Sequence, residues 1–475
     1  MSEEIKMRRI KLIDSLLNPR SIAIIGATEK SMYVRKLIDN LQSLNFVGNT
    51  YPINPKYQTL FGLKVYPNIT EIPGEIDNVI ILIPARLVLN ALKECVRKGV
   101  KSAVIITSGF AESQTKEGVE IQEEVRKMAS ESGIVICGPN CFGTINLAAG
   151  ATSFCEKIPK GLEVGDIGIA LQSGGLTASI LNISQQRGIG FRYFISAGNQ
   201  ADLEVSDYFS YMLEDENIKV IAGFVEGVKN FDNFNHVAGQ ALLKKKPIIL
   251  LKIGSSEVGA RSAFSHTGSN AGNDETFEKI FTESGITRVQ NIEDLVETAS
   301  FFSQALKRGK RAKGRKLGII TFSGGVACMM GDLGTKHGYE FPSPSQSISN
   351  ELKSVIPEFA TVANPFDITV SVFENPESFE KSARVFLKER NLDAIGLALS
   401  IGFPNEPSPQ EKLVSIFSDL QRETDKLLYA FSVCTTSLND WGRKFMKKIG
   451  LPHVSGADRS LRLLDSFIKY SQKIG

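Results

Sequence analysis

The sequence predicts an α/β protein of three units built on parallel sheets. Three observations predict it. Short continuous apolar runs recur along the 475 residues, the pattern of strands buried on both faces. Stretches of helical character separate most of them, as in repeated strand–helix units. One strand–turn–helix passage also occurs twice. In order, the apolar runs are 21–27 (SIAIIGA), 50–54, 78–84, 102–109, 133–140, 167–174, 219–227, 247–254, 317–324, 394–401 and 427–433. Helices are expected between them, for example over 86–99, 118–133 and 274–285. The repeated passage is DIGIALQSGG at 166–175 and KLGIITFSGG at 316–325, identical at five of ten positions. The expected units are 1–145, 146–305 and 315–475. KRGKRAKGRK at 307–316 carries seven basic residues in ten without an aromatic, and reads as a solvated linker.

Composition excludes several classes. The chain is 42% apolar and 23% charged with a net charge of +3, which gives no electrostatic reason to expect a nucleic-acid partner. Six cysteines scattered over this length are not a disulfide framework. The N-terminus MSEEIKMRRIKLIDSLLNPR has acids before its bases and no apolar core, unlike a secretory signal. The longest apolar runs are of strand length, far short of a membrane span. A reduced, cytoplasmic protein that binds neither nucleic acid nor membrane is expected.

The motifs that could carry chemistry sit where strands end. GATEKSM (26–32) follows the first strand but lacks G-x-G-x-x-G, and the second strand ends in YPINPK (51–56), not in an acid. A dinucleotide ribose would have no carboxylate to hold it, which disfavours NAD. A nucleotide-containing ligand still fits the strand ends, with Lys56 placed to meet a phosphate. In GPNCFGTIN (138–146), Gly138 and Pro139 force a turn and Asn140 can donate to an anion. Cys141 lacks an adjacent histidine and reads as a small buried hydrophobe rather than a nucleophile. Each Ser-Gly-Gly turn, at 173–175 and 323–325, opens a helix after a strand. Converging N–H groups and the helix N-terminus make such a turn a phosphate site. His266 stands in RSAFSHTGSNAGND (261–274), read as a polar, glycine-rich exposed loop. The other histidines share no metal-binding spacing with it, and no G-x-S-x-G elbow supports a hydrolase. A phosphohistidine fits better, with Glu226 in GFVEGVKN as the carboxylate that orients the ring.

These residues together resemble the ADP-forming acyl-CoA synthetases, relatives of the succinyl-CoA synthetase alpha subunit. The resemblance is carried by LLNPRSIAIIGAT (16–28), VGNTYPINPKY (47–57), SGFAES (108–113), GPNCFGTIN, LQSGGLTASI (171–180), EGVK (226–229) and SHTGSNAGND (265–274). TFSGG and VANPFDIT (362–369) extend it to the last unit. It implies a Rossmann-like CoA-binding domain followed by two flavodoxin-like domains. It implies that Thr28, Lys30, Lys56, Thr107 and Ser108 line a CoA site, that His266 is phosphorylated, and that Glu226 orients it. Ser173, Gly174 and Gly175 would cradle the phosphoryl group, and Gly324 and Gly325 would form a second cradle. The implied reaction joins a carboxylic acid to CoA at the expense of ATP, through phosphohistidine and acyl phosphate. ATP or ADP with Mg would sit mainly on an ATP-grasp beta subunit, within a hetero-oligomer, because the three units leave no residues for that domain and no P-loop replaces it. GATEKSMYVRKL lacks the glycine usual shortly after the family's first turn, and Ala178 stands where the succinate enzyme has a tyrosine, which implies a different acid. The alternatives are a non-catalytic CoA-binding regulator of this fold and an NAD-dependent oxidoreductase.

Overall fold

The computed structural model describes residues 3–267, 273–399, 409–435 and 438–475. Its strands in chain order are β1 Ser21–Ile25, β2 Asn49–Ile53, β3 Thr59–Leu60, β4 Leu63–Lys64, β5 Asn78–Ile81, β6 Ser102–Ile105, β7 Val135–Cys137, β8 Gly143–Asn146, β9 Ala151–Thr152 and β10 Val164–Leu171. They continue as β11 Phe191–Ser196, β12 Val220–Val225, β13 Ile248–Lys252, β14 Thr287–Val289, β15 Leu317–Thr321, β16 Phe366–Asp367, β17 Ala394–Leu399, β18 Leu427–Ser432 and β19 His453–Ser455. All eleven apolar runs contain a strand. The predicted helices appear as Ala85–Lys98, Lys116–Ser132 and Asp274–Ser284.

The chain forms two compact units, the first made of residues 1–185 and 190–295, the second of residues 186–189 and 296–475. The first contains two sheets. One is fully parallel in the order β2-β1-β5-β6-β7. The other runs β14-β13-β12-β10-β11-β8-β9, parallel as far as β11 and antiparallel over β8 and β9. Strand β8 therefore joins the second sheet although it was assigned to the end of the first unit. An element absent from the sequence reading, helix Glu3–Leu17, fastens the two sheets together. Its Ile13, Leu16 and Leu17 are buried, and Arg9 donates to Asp207 at 2.9 Å and to Asp202 at 3.1 Å. Asp202 also accepts from the backbone of Ile136 on β7.

The second unit carries the parallel sheet β16-β15-β17-β18-β19. Two expectations are corrected here. Helix Ile292–Lys307 was placed at the end of the middle unit, yet from Val296 it packs on the last sheet. Phe301 stands edge-on to Tyr429 at 5.7 Å and Phe302 to Phe467 at 4.9 Å, all fully buried. Aromatic burial of this kind outweighs a boundary drawn from strand spacing alone. The basic segment is also not a solvated linker. Arg308 donates from Nε to Gly450 O at 2.9 Å, from its guanidinium to Ile449 O, and to Ser418 Oγ at 3.2 Å. The two carbonyls stand at the end of helix Asp440–Ile449, where a cation is favoured. Ala312 is fully buried, and Arg315 donates to His337 O at 2.7 Å and to Asp465. Arg308, Lys310, Arg311 and Arg315 thus donate to carbonyl or carboxylate acceptors instead of standing free in solvent.

Arg308→Ala tests that correction. Removing a charged donor from three acceptors should lower the stability of the second unit by about 1.5–3 kcal/mol, whereas a solvated linker residue would change it by about 0.5 kcal/mol or less. Chemical denaturation followed by circular dichroism measures the difference.

Candidate functional site

The first group of residues stands at the carboxyl edge of the first sheet. Strand order reverses between β1 and β5, which is where parallel α/β sheets open a crevice for ligands. Gly26 ends β1 with φ +87°, and a Cβ there would meet Leu82 O at 2.6 Å, so only glycine lets the chain turn this close to the neighbouring strand. Thr28 follows, sharing a 3.0 Å hydrogen bond with Tyr57 Oη. Asn54 ties the ends of β1 and β2, donating to Ala27 O at 2.8 Å and accepting from the backbone N–H of Lys56 at 3.0 Å. Lys30 and Lys56 are exposed on either side. Thr107 and Ser108 sit at the end of β6; Thr107 Oγ1 donates to Ile83 O at 2.7 Å, and Ser108 is exposed. The structure thus ties the segments of Thr28 and Lys56 together through Asn54 and Tyr57, neither of which the sequence singled out.

The second group stands at the carboxyl edge of the second sheet. Strand β10 leads into Ser173, Gly174 and Gly175 and the helix Gly174–Arg187. A Cβ on Gly174 would strike the ring of Phe142, while one on Gly175 would meet nothing within 4 Å. The first glycine answers to packing; the second leaves open space beside the helix N-terminus, as an anion cradle requires. Gln172 holds the next turn. Its side chain donates to Gly227 O at 2.6 Å and accepts from the backbone N–H groups of Glu226 and Gly227. Glu226 follows β12 and is buried. Strand β13 pairs alongside, Val225 opposite Lys252.

The loop expected around His266 is partly a helix, Glu257–Thr267. Its start signal was legible as Ser-Ser-Glu: Ser256 Oγ accepts from the Gly259 N–H at 3.1 Å, with Glu257 in the first turn. His266 lies near the last residue of this helix; its side chain, and residues 268–272, fall outside the described residues.

Asn199 joins the two edges and was missed by sequence reasoning. Asn140, at φ +55°, donates its backbone N–H to Thr107 O and its side-chain amide to Asn199 Oδ1 at 3.2 Å. Asn199 donates in turn to Glu112 and to Gln122, and its carbonyl accepts from Lys229 of the EGVK segment at 3.0 Å. Gly198 is forced by the same approach, since a Cβ at its φ of +59° would sit 2.3 Å from Pro139 O. Asn140, expected as an anion donor, gives one side-chain N–H to this network. Cys141 is buried and donates to Ile105 O; the neighbouring Cys137 thiol and burial push its own thiol well above the ordinary range. That accords with a packing role.

The second Ser-Gly-Gly turn differs from the first. Gly324 and Gly325 open helix Gly324–Lys336 after β15, but a Cβ on Gly324 would lie 3.5 Å from Asp367 Oδ2. A carboxylate beside the turn opposes a bare phosphate there, so identical sequence does not make identical sites. Among the described residues, no cluster of histidine, cysteine and acids could hold a metal, and no helix is long and apolar enough to cross a membrane.

Comparison with known proteins follows this geometry. A CoA binding domain model matches residues 20–146, and a succinyl-CoA ligase like flavodoxin domain model matches residues 164–302. The alpha subunit of ADP-forming acetate–CoA ligase II of Pyrococcus furiosus is 36% identical over 385 residues, 81% of either chain. The chain belongs to the ADP-forming acid–CoA ligase family. It is 38% identical to the ADP-forming acetate–CoA ligase of Methanocaldococcus jannaschii over 74% of its own length, and it spans 48% of that longer protein. It also spans 64% of the ADP-forming acetate–CoA ligase I of Archaeoglobus fulgidus, at 31% identity. Among solved structures, a dinucleotide-forming acetyl-CoA synthetase of Ca. Korarchaeum cryptofilum, in complex with phosphate and ADP, is 30% identical with a TM-score of 0.84 over 97% of both chains.

Lys252 is a buried cation that no motif announced. It ends β13, is only 4% exposed, and burial lowers its ammonium from 10.5 to about 8. A depressed lysine costs stability wherever it is protonated in the folded state. The cost is full below about pH 8 and vanishes above about 10.5, since between those values the unfolded chain holds more protons and stability rises with pH. Lys252→Met should therefore remove a burial cost that the wild type carries at pH 7. The gap to the wild type should close as the pH rises through that window; thermal unfolding across pH measures both.

Proposed function

We propose that this chain is the alpha-type subunit of a nucleoside-diphosphate-forming acid–CoA ligase, working with an ATP-grasp partner that handles the nucleotide and its Mg. The observation that carries the reading is the row of groups at one sheet edge: the Ser173–Gly175 turn after β10, Glu226 after β12, and β13 leading to the helix of His266. The relatives named as alpha subunits support a partner chain, and the longer relatives support a fused equivalent.

In this reading His266 accepts a phosphoryl group from the nucleotide on a ring nitrogen, releasing the diphosphate. A neutral imidazole is nucleophilic near pH 7, and Glu226 on the far nitrogen fixes the tautomer and offsets the developing charge. The N–H groups of the 173–175 turn hold the phosphoryl oxygens. The carboxylic acid then takes the phosphoryl group from His266 to give an acyl phosphate, and the CoA thiolate attacks its carbonyl carbon and expels inorganic phosphate. CoA fits the first edge: Thr28, Lys30 and Lys56 offer a hydroxyl and two exposed ammonium groups to its phosphates. The Asn140–Asn199–Lys229 network ties that edge to the segment of Glu226.

With partner, acid, CoA and ATP present, His266→Asn should abolish ligation and the acid-labile, base-stable phosphate label on the chain. Ligation at near wild-type rate by this variant would refute the assignment. Glu226→Gln should slow labelling and leave CoA affinity unchanged, because the carboxylate belongs to the other edge. Lys56→Glu should weaken CoA binding by about 2 kcal/mol or more, the size of a reversed charge-assisted contact, with unfolding unaltered; unchanged affinity by calorimetry would remove Lys56 from the site.

A further inference from the structure

One buried side chain is not used by the scheme above. Gln172 stands between β10 and the Ser173–Gly175 turn and is 8% exposed. Its backbone N–H donates to Phe224 O at 3.1 Å, which carries the β10–β12 ladder past the pair Leu171 and Phe224. Beyond that point its side-chain amide takes over. Nε2 donates to Gly227 O at 2.6 Å, and Oε1 accepts from the N–H of Gly227 at 3.2 Å and from the N–H of Glu226. One side chain thus meets both backbone polar groups of Gly227, as a neighbouring strand would. A primary amide offers a donor and an acceptor side by side, which neither a carboxylate nor an apolar side chain does. The far end of the same segment is held too: Lys229 Nζ donates to Asn199 O at 3.0 Å and to Gln200 O at 2.7 Å. Glu226 therefore leaves a backbone held at both ends. Gln172 is covalently joined to the glycine turn and hydrogen-bonded to the backbone of the carboxylate.

We infer that Gln172 is a positioning residue for phosphoryl transfer: it sets Glu226 at a fixed place relative to the Ser173–Gly175 turn. It touches no reacting atom and acts through Glu226. This deepens the phosphoryl-transfer reading and rests on it for the role of Glu226. A carboxylate that orients a ring has to be held closely, since a misplacement of about 1 Å can cost about a hundredfold in rate. A buried amide with every bond satisfied leaves its partners one geometry. The competing role is structural, in which the amide only satisfies the last groups of the ladder.

The test is the rate at which the full chain, with its ATP-grasp partner, is labelled by radioactive ATP. Gln172→Leu should lower the maximal rate about tenfold or more. The ATP concentration for half-maximal rate and the calorimetric affinity for CoA should stay as in the wild type. Gln172→Glu keeps the acceptors and loses the donor to Gly227 O, so it should be slow as well. Thermal unfolding shows whether each variant folds, and Gln172→Glu carries the test if the leucine variant does not. Two groups that act as one are not additive. Adding Gln172→Leu to Glu226→Gln should therefore slow labelling by no more than about twofold further. A wild-type maximal rate in the folded Gln172 variants, or full multiplication of the two effects, overturns the inference. Slow labelling of Glu226→Gln beside unaltered Gln172 variants removes the inference alone and leaves the phosphohistidine reading standing. Labelling of Glu226→Gln or His266→Asn at the wild-type rate removes that reading, and the inference with it.

Discussion

Parallel strand pairing is the constraint on which this protein depends. In a parallel sheet every strand delivers its carboxyl end to the same edge, and neighbouring strands lie about 4.8 Å apart. Leu171 pairs with Phe224 and Val225 with Lys252, so the residues that follow β10, β12 and β13 emerge in one row. The glycine turn after β10 and the carboxylate after β12, far apart in sequence, leave from adjacent strands without any loop having to reach. The same rule places Thr28, Lys56 and Thr107 along the edge of the first sheet.

The two edges would serve little purpose apart. Helix Glu3–Leu17 and the residues around Asn199 bring the sheets into one compact unit. Asn199 does this with polar contacts, which hold a fixed geometry because each amide and carbonyl is satisfied on both sides. Burial does the complementary work on charge. Glu226 and Lys252 are almost fully buried at the ends of their strands, where the loss of water opposes the charged form of each.

Reading the chain located the strands well because a strand buried on both faces writes an apolar run whatever it packs against; SIAII and IILLK are examples. Short or edge strands such as Thr287–Val289 and His453–Ser455 escaped, since three residues carry no period. The basic segment was misread because charge alone does not reveal that Gly450 and Ile449 present their carbonyls to Arg308. The helix Glu257–Thr267 was misread for a different reason: small polar residues concealed a start that Ser256 and Glu257 had announced.

What the sequence by itself determined is the α/β class, the positions of the main strands, the family, and the residue types at each strand end: glycine where the chain must turn, lysine and carboxylate where charge must stand. Those are local properties, set by side-chain shape and by the few residues on either side. Only the tertiary structure decided that Asn199 bridges the two edges and that Lys252 lies buried beside Glu226. It also decided that two identical Ser-Gly-Gly turns differ: the first glycine of one packs against the Phe142 ring and that of the other stands near Asp367. Each of these depends on which strand lies next to which, and strand order is set by packing across the whole unit rather than by any stretch of the chain.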